Sequence, residues 1–212
     1  MKKILILMVA MLFIAGSVYA ASIVGSAHDI TGYIGDEVST EVCVYCHTPH
    51  QTAAAGQQDP LWNHTQTATA AFTTYASSTL NATPIDIGGT GAVSLLCMSC
   101  HDGTVAVNSV YNVPQSGNLG TLASITGTAL LGTDLSDDHP VNFTYDAALV
   151  TADQGTAATP GLNDPTVAAI ADLLFATRVQ CASCHDVHDP QFTPFLTQDN
   201  SGSALCLLCH AK

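Results

Sequence analysis

All eight cysteines of this 212-residue chain lie in one five-residue pattern, Cys-x-x-Cys-His, which occurs four times. The four sets are Cys43, Cys46 and His47; Cys97, Cys100 and His101; Cys181, Cys184 and His185; and Cys206, Cys209 and His210. This pattern is the attachment signature of c-type haem, because the two thiols add to the two vinyl groups of the porphyrin and the adjacent histidine binds the iron. The sequence therefore predicts four covalently bound haem c groups.

The cysteines have two alternative uses. Four disulfides would suit an exported protein, but cysteines two residues apart bridge poorly, and the four histidines that follow would have no role. Paired Cys-x-x-Cys knuckles could hold zinc, but the unequal spacing of the four motifs matches no common zinc module. Haem attachment accounts for every cysteine and for the histidine after each pair.

Each haem iron takes a sixth ligand, whose identity separates electron transfer from catalysis. Methionine is almost excluded, because three of the four methionines lie in the N-terminal apolar segment and Met98 lies inside a motif. The histidines outside the motifs are His28, His50, His64, His139 and His188. Four of these suffice to give every iron two histidine ligands, so the sequence predicts bis-histidine haems with one histidine to spare.

Two of these histidines follow a motif histidine by three residues. His50 follows His47, and His188 follows His185. A residue so close to the motif lies on the same side of the porphyrin as the motif histidine and cannot reach the opposite face of that ring. Each therefore binds the iron of a different haem, unless it is a hydrogen-bonded surface residue. Such ligation predicts haems that are held close together.

The N-terminal segment has the pattern of a secretory signal peptide. Two lysines precede an apolar run over residues 4–15, and the small-residue pattern Val-Tyr-Ala follows. The run is shorter than the roughly 20 apolar residues that span a membrane as a helix. The sequence predicts a signal peptide over residues 1–20, with an uncleaved anchor as the alternative, and a single tetrahaem domain over residues 21–212.

The charge of the chain excludes two classes of partner. Outside the N-terminal segment, Arg178 and Lys212 are the only basic side chains, against 17 Asp and Glu residues. Such a polyanion repels nucleic acid and anionic membrane surfaces, so we expect neither nucleic-acid binding nor membrane insertion. The charge favours basic or metal-bearing partners, such as redox-partner cytochromes or extracellular electron acceptors.

The composition predicts a loop-rich fold. Hydrophobic residues make up 47% of the chain, but many are Ala and Val, and there are only one Trp and six Phe. We expect short α-helices that begin at the haem motifs, little or no β-sheet, and a core formed by four haems. A further helix is predicted over residues 167–175, because Asp164 can cap it and Pro165 suits its first turn. Long loops are predicted over residues 51–60, 112–138 and 151–164.

Several segments resemble the multihaem cytochromes of metal-reducing bacteria, and in particular the extracellular cytochrome nanowire family. These segments are SIVGSAHDI, CVYCHTPH, PLWNHT, CMSCHDGTVAV, DHPVNFTYD, QCASCHDVHDP and CLLCHAK. The resemblance implies that subunits join into a homopolymeric filament with a continuous row of haems. It also implies that His50 binds a haem iron of the neighbouring subunit, and that the protein is extracellular or lies at the cell surface.

The sequence therefore predicts an exported electron-transfer protein rather than an enzyme. Two histidines on each iron leave no open position for a substrate. Without polymerisation, the same haems would serve a soluble periplasmic electron shuttle, which is the first alternative. The second alternative is a multihaem oxidoreductase with an open haem, which would require one iron without a second histidine.

Overall fold

The structure of the chain is a computed structural model that describes residues 22–33, 39–49, 61–83, 86–88, 92–113, 117–153 and 161–211. The predicted signal peptide, the predicted loop over residues 51–60 and His50 lie outside the described residues. Among the described residues, no helix is long and apolar enough to cross a membrane.

Short helical elements separated by irregular chain make up the described part of the molecule. Its α-helices are α1 (Val93–His101), α2 (Ala147–Ala152), α3 (Ala168–Ala171), α4 (Cys181–Cys184) and α5 (Cys206–Cys209). Its 3₁₀ turns are Ile30–Tyr33, Val42–Tyr45, Thr69–Ala71, Gly127–Ala129 and Ser201–Ser203. The prediction of a loop-rich fold with short helices at the motifs is confirmed.

The β-structure consists of two pairs of two-residue strands within the described ranges. Strand β1 (Thr73–Thr74) pairs in parallel with β2 (Asp134–Leu135). Strand β3 (Phe143–Thr144) pairs antiparallel with β4 (Arg178–Val179). The second pair brings the chain that follows His139 beside the chain that leads into the third haem motif.

The helix predicted over residues 167–175 is only partly correct. Helix α3 ends at Ala171, and Val167 before it has an extended backbone. Asp164 does not cap this helix, because its Oδ1 accepts hydrogen bonds from the backbone N–H and the hydroxyl of Thr166 instead. Beyond the helix, Ala176 and Thr177 have positive φ angles of 49° and 66° and turn the chain into β4. The helix has already ended at Ala171, so the apolar residues up to Phe175 lie outside it.

Helix α2 was not predicted, and it overlaps the loop predicted from residue 151. Asp146 precedes the helix with an extended backbone, and its carboxylate accepts a hydrogen bond from the Leu149 N–H at 2.9 Å. This is the standard way in which a short helix satisfies an N-terminal amide. Leu149 is buried and joins the apolar core, so capping and packing together stabilise the helix.

The apolar core of the described residues consists of two small clusters. The larger contains Ala82, Phe143, Tyr145, Leu149, Ile170 and Val179, with Leu208 and Cys209 of the fourth motif packed against it. The smaller contains Ile87, Met98 and Leu135, and Met98 belongs to the second motif. The fourth motif therefore packs against the larger cluster, and the second motif contributes to the smaller one.

Candidate haem centres

In each motif, one turn of backbone holds the two cysteines and the histidine together. The histidine N–H donates to the carbonyl oxygen of the first cysteine, at 2.8 Å in the first motif and at 3.0 Å in the third and fourth. In the second motif the whole set lies in α1. A bond from residue i to residue i−4 is that of an α-helix. The two thiols and the imidazole therefore leave the chain from a single turn, as covalent haem attachment requires.

Three pairs of histidine rings lie at similar distances. Their ring centres are 6.0 Å apart for His28 and His101, 6.1 Å for His47 and His188, and 6.4 Å for His139 and His210. Each pair joins one motif histidine to one histidine from outside the motifs. A bound imidazole nitrogen lies about 2 Å from a metal and roughly 1 Å from its own ring centre, so two imidazoles on opposite sides of one metal have centres about 6 Å apart.

Backbone carbonyl groups hold three of the imidazoles in one tautomer. The Nδ1 atoms of His101, His139 and His185 lie 2.8, 2.8 and 2.9 Å from the carbonyl oxygens of Ala129, Pro140 and Pro194. A carbonyl oxygen only accepts, so Nδ1 must donate and the neutral ring keeps a lone pair on Nε2. This second contact is the one that usually orients metal-binding histidines.

The surroundings of two of the paired rings lower their pKa. Burial lowers the pKa of His28, and the nearby rings of His101, His188 and His185 lower it further. Burial also lowers the pKa of His47, with a further contribution from His188. Only an unprotonated imidazole binds a metal. These surroundings therefore favour the ligand form of the side chain.

His185 of the third motif differs from the other motif histidines. Within the described ranges, no second histidine ring lies opposite it. It is close enough to His28 to influence that pKa, which places the third motif next to the pair formed by His28 and His101. His50, the fifth histidine outside the motifs, lies outside the described residues.

His64 is the non-motif histidine that the described structure does not bring opposite a motif histidine. The residue is 0% exposed, and burial lowers its pKa. Its Nδ1 lies 2.8 Å from the Thr65 carbonyl oxygen, and its Nε2 lies 3.0 Å from that of Ala106 and 3.5 Å from the Cys100 sulfur. Both ring nitrogens therefore face protein atoms.

Asn63 joins the first motif to the chain after the second, and sequence reasoning missed it. Its side-chain amide donates to the carbonyl oxygens of Val44 at 2.6 Å and Asn112 at 2.8 Å, and its Oδ1 accepts from the Asn112 N–H at 2.8 Å. Its own N–H donates to the Cys46 carbonyl oxygen at 2.9 Å. Complete burial of Asn63 depends on these long-range partners, which no local pattern reveals.

Thiols of successive motifs lie close together. A hydrogen bond between the Cys97 and Cys181 thiols raises the pKa of Cys97 and lowers that of Cys181 to about 7. Burial raises the pKa of Cys100 to about 12, and Cys46 of the first motif adds to the shift. Burial raises the pKa of Cys184 to about 11, and the thiols of the fourth motif contribute. The first motif thus lies beside the second, the second beside the third, and the third beside the fourth.

Two of the four motifs lie in a segment that matches a known protein family. Residues 175–212, which contain the third and fourth motifs, match the family model of the doubled CXXCH motif. The match indicates a multihaem c-type cytochrome. Its haem c is bound covalently through the paired cysteines. Cytochromes of this type act in electron transfer, and some are oxidoreductases. No curated protein matched the chain.

The described residues fit haem better than a metal held by protein atoms alone. Among them, no group of three or more His, Cys, Asp and Glu side chains is placed to hold a metal ion. The histidine pairs offer two nitrogen atoms each. A haem iron needs two such ligands, because the porphyrin supplies the other four.

Proposed function

We propose that this cytochrome binds four haems and passes electrons along them, with two histidines on each iron. The three histidine pairs carry the proposal, because each joins a motif histidine to a distant one at the separation of ligands on opposite sides of an iron. The paired histidines are His28 and His101, His47 and His188, and His139 and His210. The haems supply a one-electron couple, and the chain positions them and keeps other ligands away from the irons.

The position of the motifs supports a linear path. Their thiols neighbour one another in the order of the chain. His188, which follows the third motif, lies opposite His47 of the first. Ligation by His188 would therefore tie the first haem to the segment that binds the third. Haems held so close exchange electrons without any movement of the chain.

Because no second histidine ring lies opposite His185 within the described ranges, two assignments compete for the third haem. In the first, His50 of another copy binds this iron, and repeated contacts of this head-to-tail kind build a filament, since a heterologous contact that does not close a ring propagates. In the second, the iron keeps an open position, and the protein is an oxidoreductase. We favour the filament, because the resemblance to the nanowire family implies that His50 binds an iron of the neighbouring subunit, and because both nitrogens of His64 face backbone carbonyl groups.

The proposed place of action follows from the motifs and the charge. Haem c is attached outside the cytoplasm, and the segment over residues 1–20 has the pattern of a signal peptide. We propose an extracellular or cell-surface filament, with a periplasmic monomer as the alternative. Its partners would be copies of itself, redox-partner cytochromes and extracellular electron acceptors, and the acidic chain favours basic or metal-bearing ones.

Spectroscopy of the purified haem protein tests the ligation. We expect a mass increase of four haems, no titratable thiol, and low-spin spectra that cyanide and nitrite leave unchanged in the assembled protein. Fewer attached haems would contradict the tetrahaem assignment. Rapid cyanide binding to one haem of the assembled protein would favour the oxidoreductase.

Replacement of His50 tests the filament. His50→Ala should abolish filaments in electron micrographs of extracellular material and leave one haem high-spin in the resulting monomers. Gln51→Ala, the neighbouring substitution, should leave filaments and spectra as in the wild type. Normal filaments from His50→Ala would remove this residue from the contact between subunits.

A further inference from the structure

We infer that Gln180 is a positioning residue which, together with Ser94 and Asn142, holds the second and third haem motifs in one fixed relative position. The inference rests on the proposed function, because it concerns the spacing of haems bound at these motifs. All three side chains are buried, with 2%, 0% and 3% of their surface exposed. None of them belongs to a motif or binds iron in the proposal above.

The first part of the network links the two helices that carry the motifs. Helix α1 contains the second motif, and Ser94 lies in its first turn. The Oε1 atom of Gln180 accepts hydrogen bonds from the Ser94 N–H at 3.1 Å and from the Ser94 hydroxyl at 2.6 Å. The Ser94 oxygen in turn accepts from the Cys181 N–H at 3.0 Å. The first turn of each helix is therefore bonded to the other.

These bonds also satisfy groups that a helix start leaves without partners. The first N–H groups of a helix have no acceptor within the helix. Here the first-turn N–H of Ser94 in α1 and that of Cys181 in α4 find their acceptors across the helix contact. The N–H of Gln180 donates to the Ser183 hydroxyl at 2.9 Å within α4. A buried polar network in which every member is paired favours a single arrangement, because any shift leaves a costly unpaired group.

The second part of the network reaches the segment of the fourth haem centre. The Nε2 atom of Gln180 donates to the Asn142 Oδ1 at 2.7 Å. Asn142 lies three residues after His139, whose ring faces that of His210. Arg178 donates to the Asn142 carbonyl oxygen at 2.8 Å, and the Asn142 amide donates to Asp86. One glutamine thus connects the second motif, the third motif and the His139 segment.

The consequence for electron transfer follows from the positions of two cysteines in these helices. Cys97 lies three residues after Ser94 in α1, whose hydroxyl oxygen accepts from the Cys181 N–H, and Cys97 and Cys181 are each the first cysteine of their motif. They are the attachment points of the second and third haems, so the relative position of the two helices sets the gap between these haems. The magnetic interaction between neighbouring haems and their reduction potentials depend on that gap.

The test compares Gln180→Leu and Ser94→Ala with the wild-type haem protein. Leucine keeps the approximate volume of glutamine and removes both bonds to Ser94 and the bond to Asn142. The control is Asn108→Leu, which removes a hydrogen bond to the Gly120 carbonyl oxygen, 2.7 Å long and outside the network. For each protein, we would measure haem content by mass, spin state and haem–haem interaction by electron paramagnetic resonance, potentials by redox titration, and the thermal midpoint.

We expect Gln180→Leu to retain all its haems in the low-spin state but to change the haem–haem interaction and the midpoint potentials of one pair of haems. Ser94→Ala should change the same signals by less, because the backbone bond to Gln180 remains. Asn108→Leu should lower the thermal midpoint and leave the haem signals unchanged. An unchanged haem–haem interaction and unchanged potentials in Gln180→Leu would overturn the inference. The network would then stabilise the fold without setting the spacing of the haems.

Two further outcomes keep the test decisive. If Gln180→Leu does not assemble, Ser94→Ala decides, and wild-type haem signals in that variant overturn the inference. If the wild-type protein itself lacks four low-spin haems, the proposed function fails, and this result is visible before any variant is compared.

Discussion

His139 and His64 both lie outside the haem motifs, but their surroundings differ. His139 is exposed, the Pro140 carbonyl oxygen holds its Nδ1, and its ring lies 6.4 Å from that of His210. His64 is completely buried, and backbone carbonyl oxygens face both of its nitrogens. His64 has no motif histidine opposite it within the described ranges, so we propose iron ligation for His139 and a structural role for His64.

Alanine substitutions at these positions separate the two roles. His139→Ala should leave one haem high-spin and open to cyanide. His64→Ala should keep every haem low-spin, but it should lower the free energy of unfolding by about 1–3 kcal/mol, because a buried carbonyl group loses its hydrogen-bond donor. Visible spectra, cyanide titration and denaturant unfolding measure these effects. A cyanide-binding haem in His64→Ala, with none in His139→Ala, would exchange the two assignments.

At the scale of elements, short helices carry the chemistry, and side chains beyond the motifs decide where those helices begin. Helix α4 has only four residues, too few for a helix to be stable by its own backbone bonds. Its start is bonded to Ser94 of α1 and to Ser183 within the helix. Helix α5 is equally short, and Leu208 and Cys209 pack against the larger apolar cluster. Tertiary contacts therefore hold the motif helices in place.

The cap of α2 offers a test at this scale. Asp146→Ala removes the acceptor for the Leu149 N–H and should lower the free energy of unfolding by about 1 kcal/mol. The haem spectra should not change, because α2 carries no motif. Asp137→Ala, at an exposed position, is the matched control and should change stability by less. Equal effects of the two substitutions in denaturant unfolding would show that the cap contributes nothing.

At the scale of the whole molecule, fifteen hydrophobic residues are buried in the part of the chain that the structure describes. The two apolar clusters of the described residues contain six and three buried side chains, and both lie against haem motifs. The loss of conformational entropy opposes folding, and its free-energy cost is of order 100 kcal/mol per hundred residues. We therefore expect the haems to provide a large part of the buried apolar surface.

A chain without haem tests this dependence. Protein produced without haem attachment, and kept reduced, should lack a cooperative thermal transition and show the narrow amide dispersion of an unfolded chain in NMR spectra. The haem-loaded protein, prepared in parallel, should unfold cooperatively. A haem-free chain with native dispersion would show that the small clusters suffice for folding.

The sequence by itself determined the attachment chemistry, because a Cys-x-x-Cys-His motif is local and its spacing matches the haem edge within one turn. It also predicted the loop-rich fold, since few large apolar residues are available to build layers. It predicted a helix over residues 167–175 only in part, because the apolar pattern carried no sign that the helix ends at Ala171. The filament and the role of His50 remain predictions.

The tertiary structure decided which histidines face one another. The sequence supplied five candidates outside the motifs and no way to pair them, because partners such as His47 and His188 are far apart in the chain. It also revealed Asn63 and Gln180, whose amides look ordinary in sequence and bond to residues 49 and 86 positions away. Long-range packing brings such groups together, and only folding of the whole chain specifies that packing.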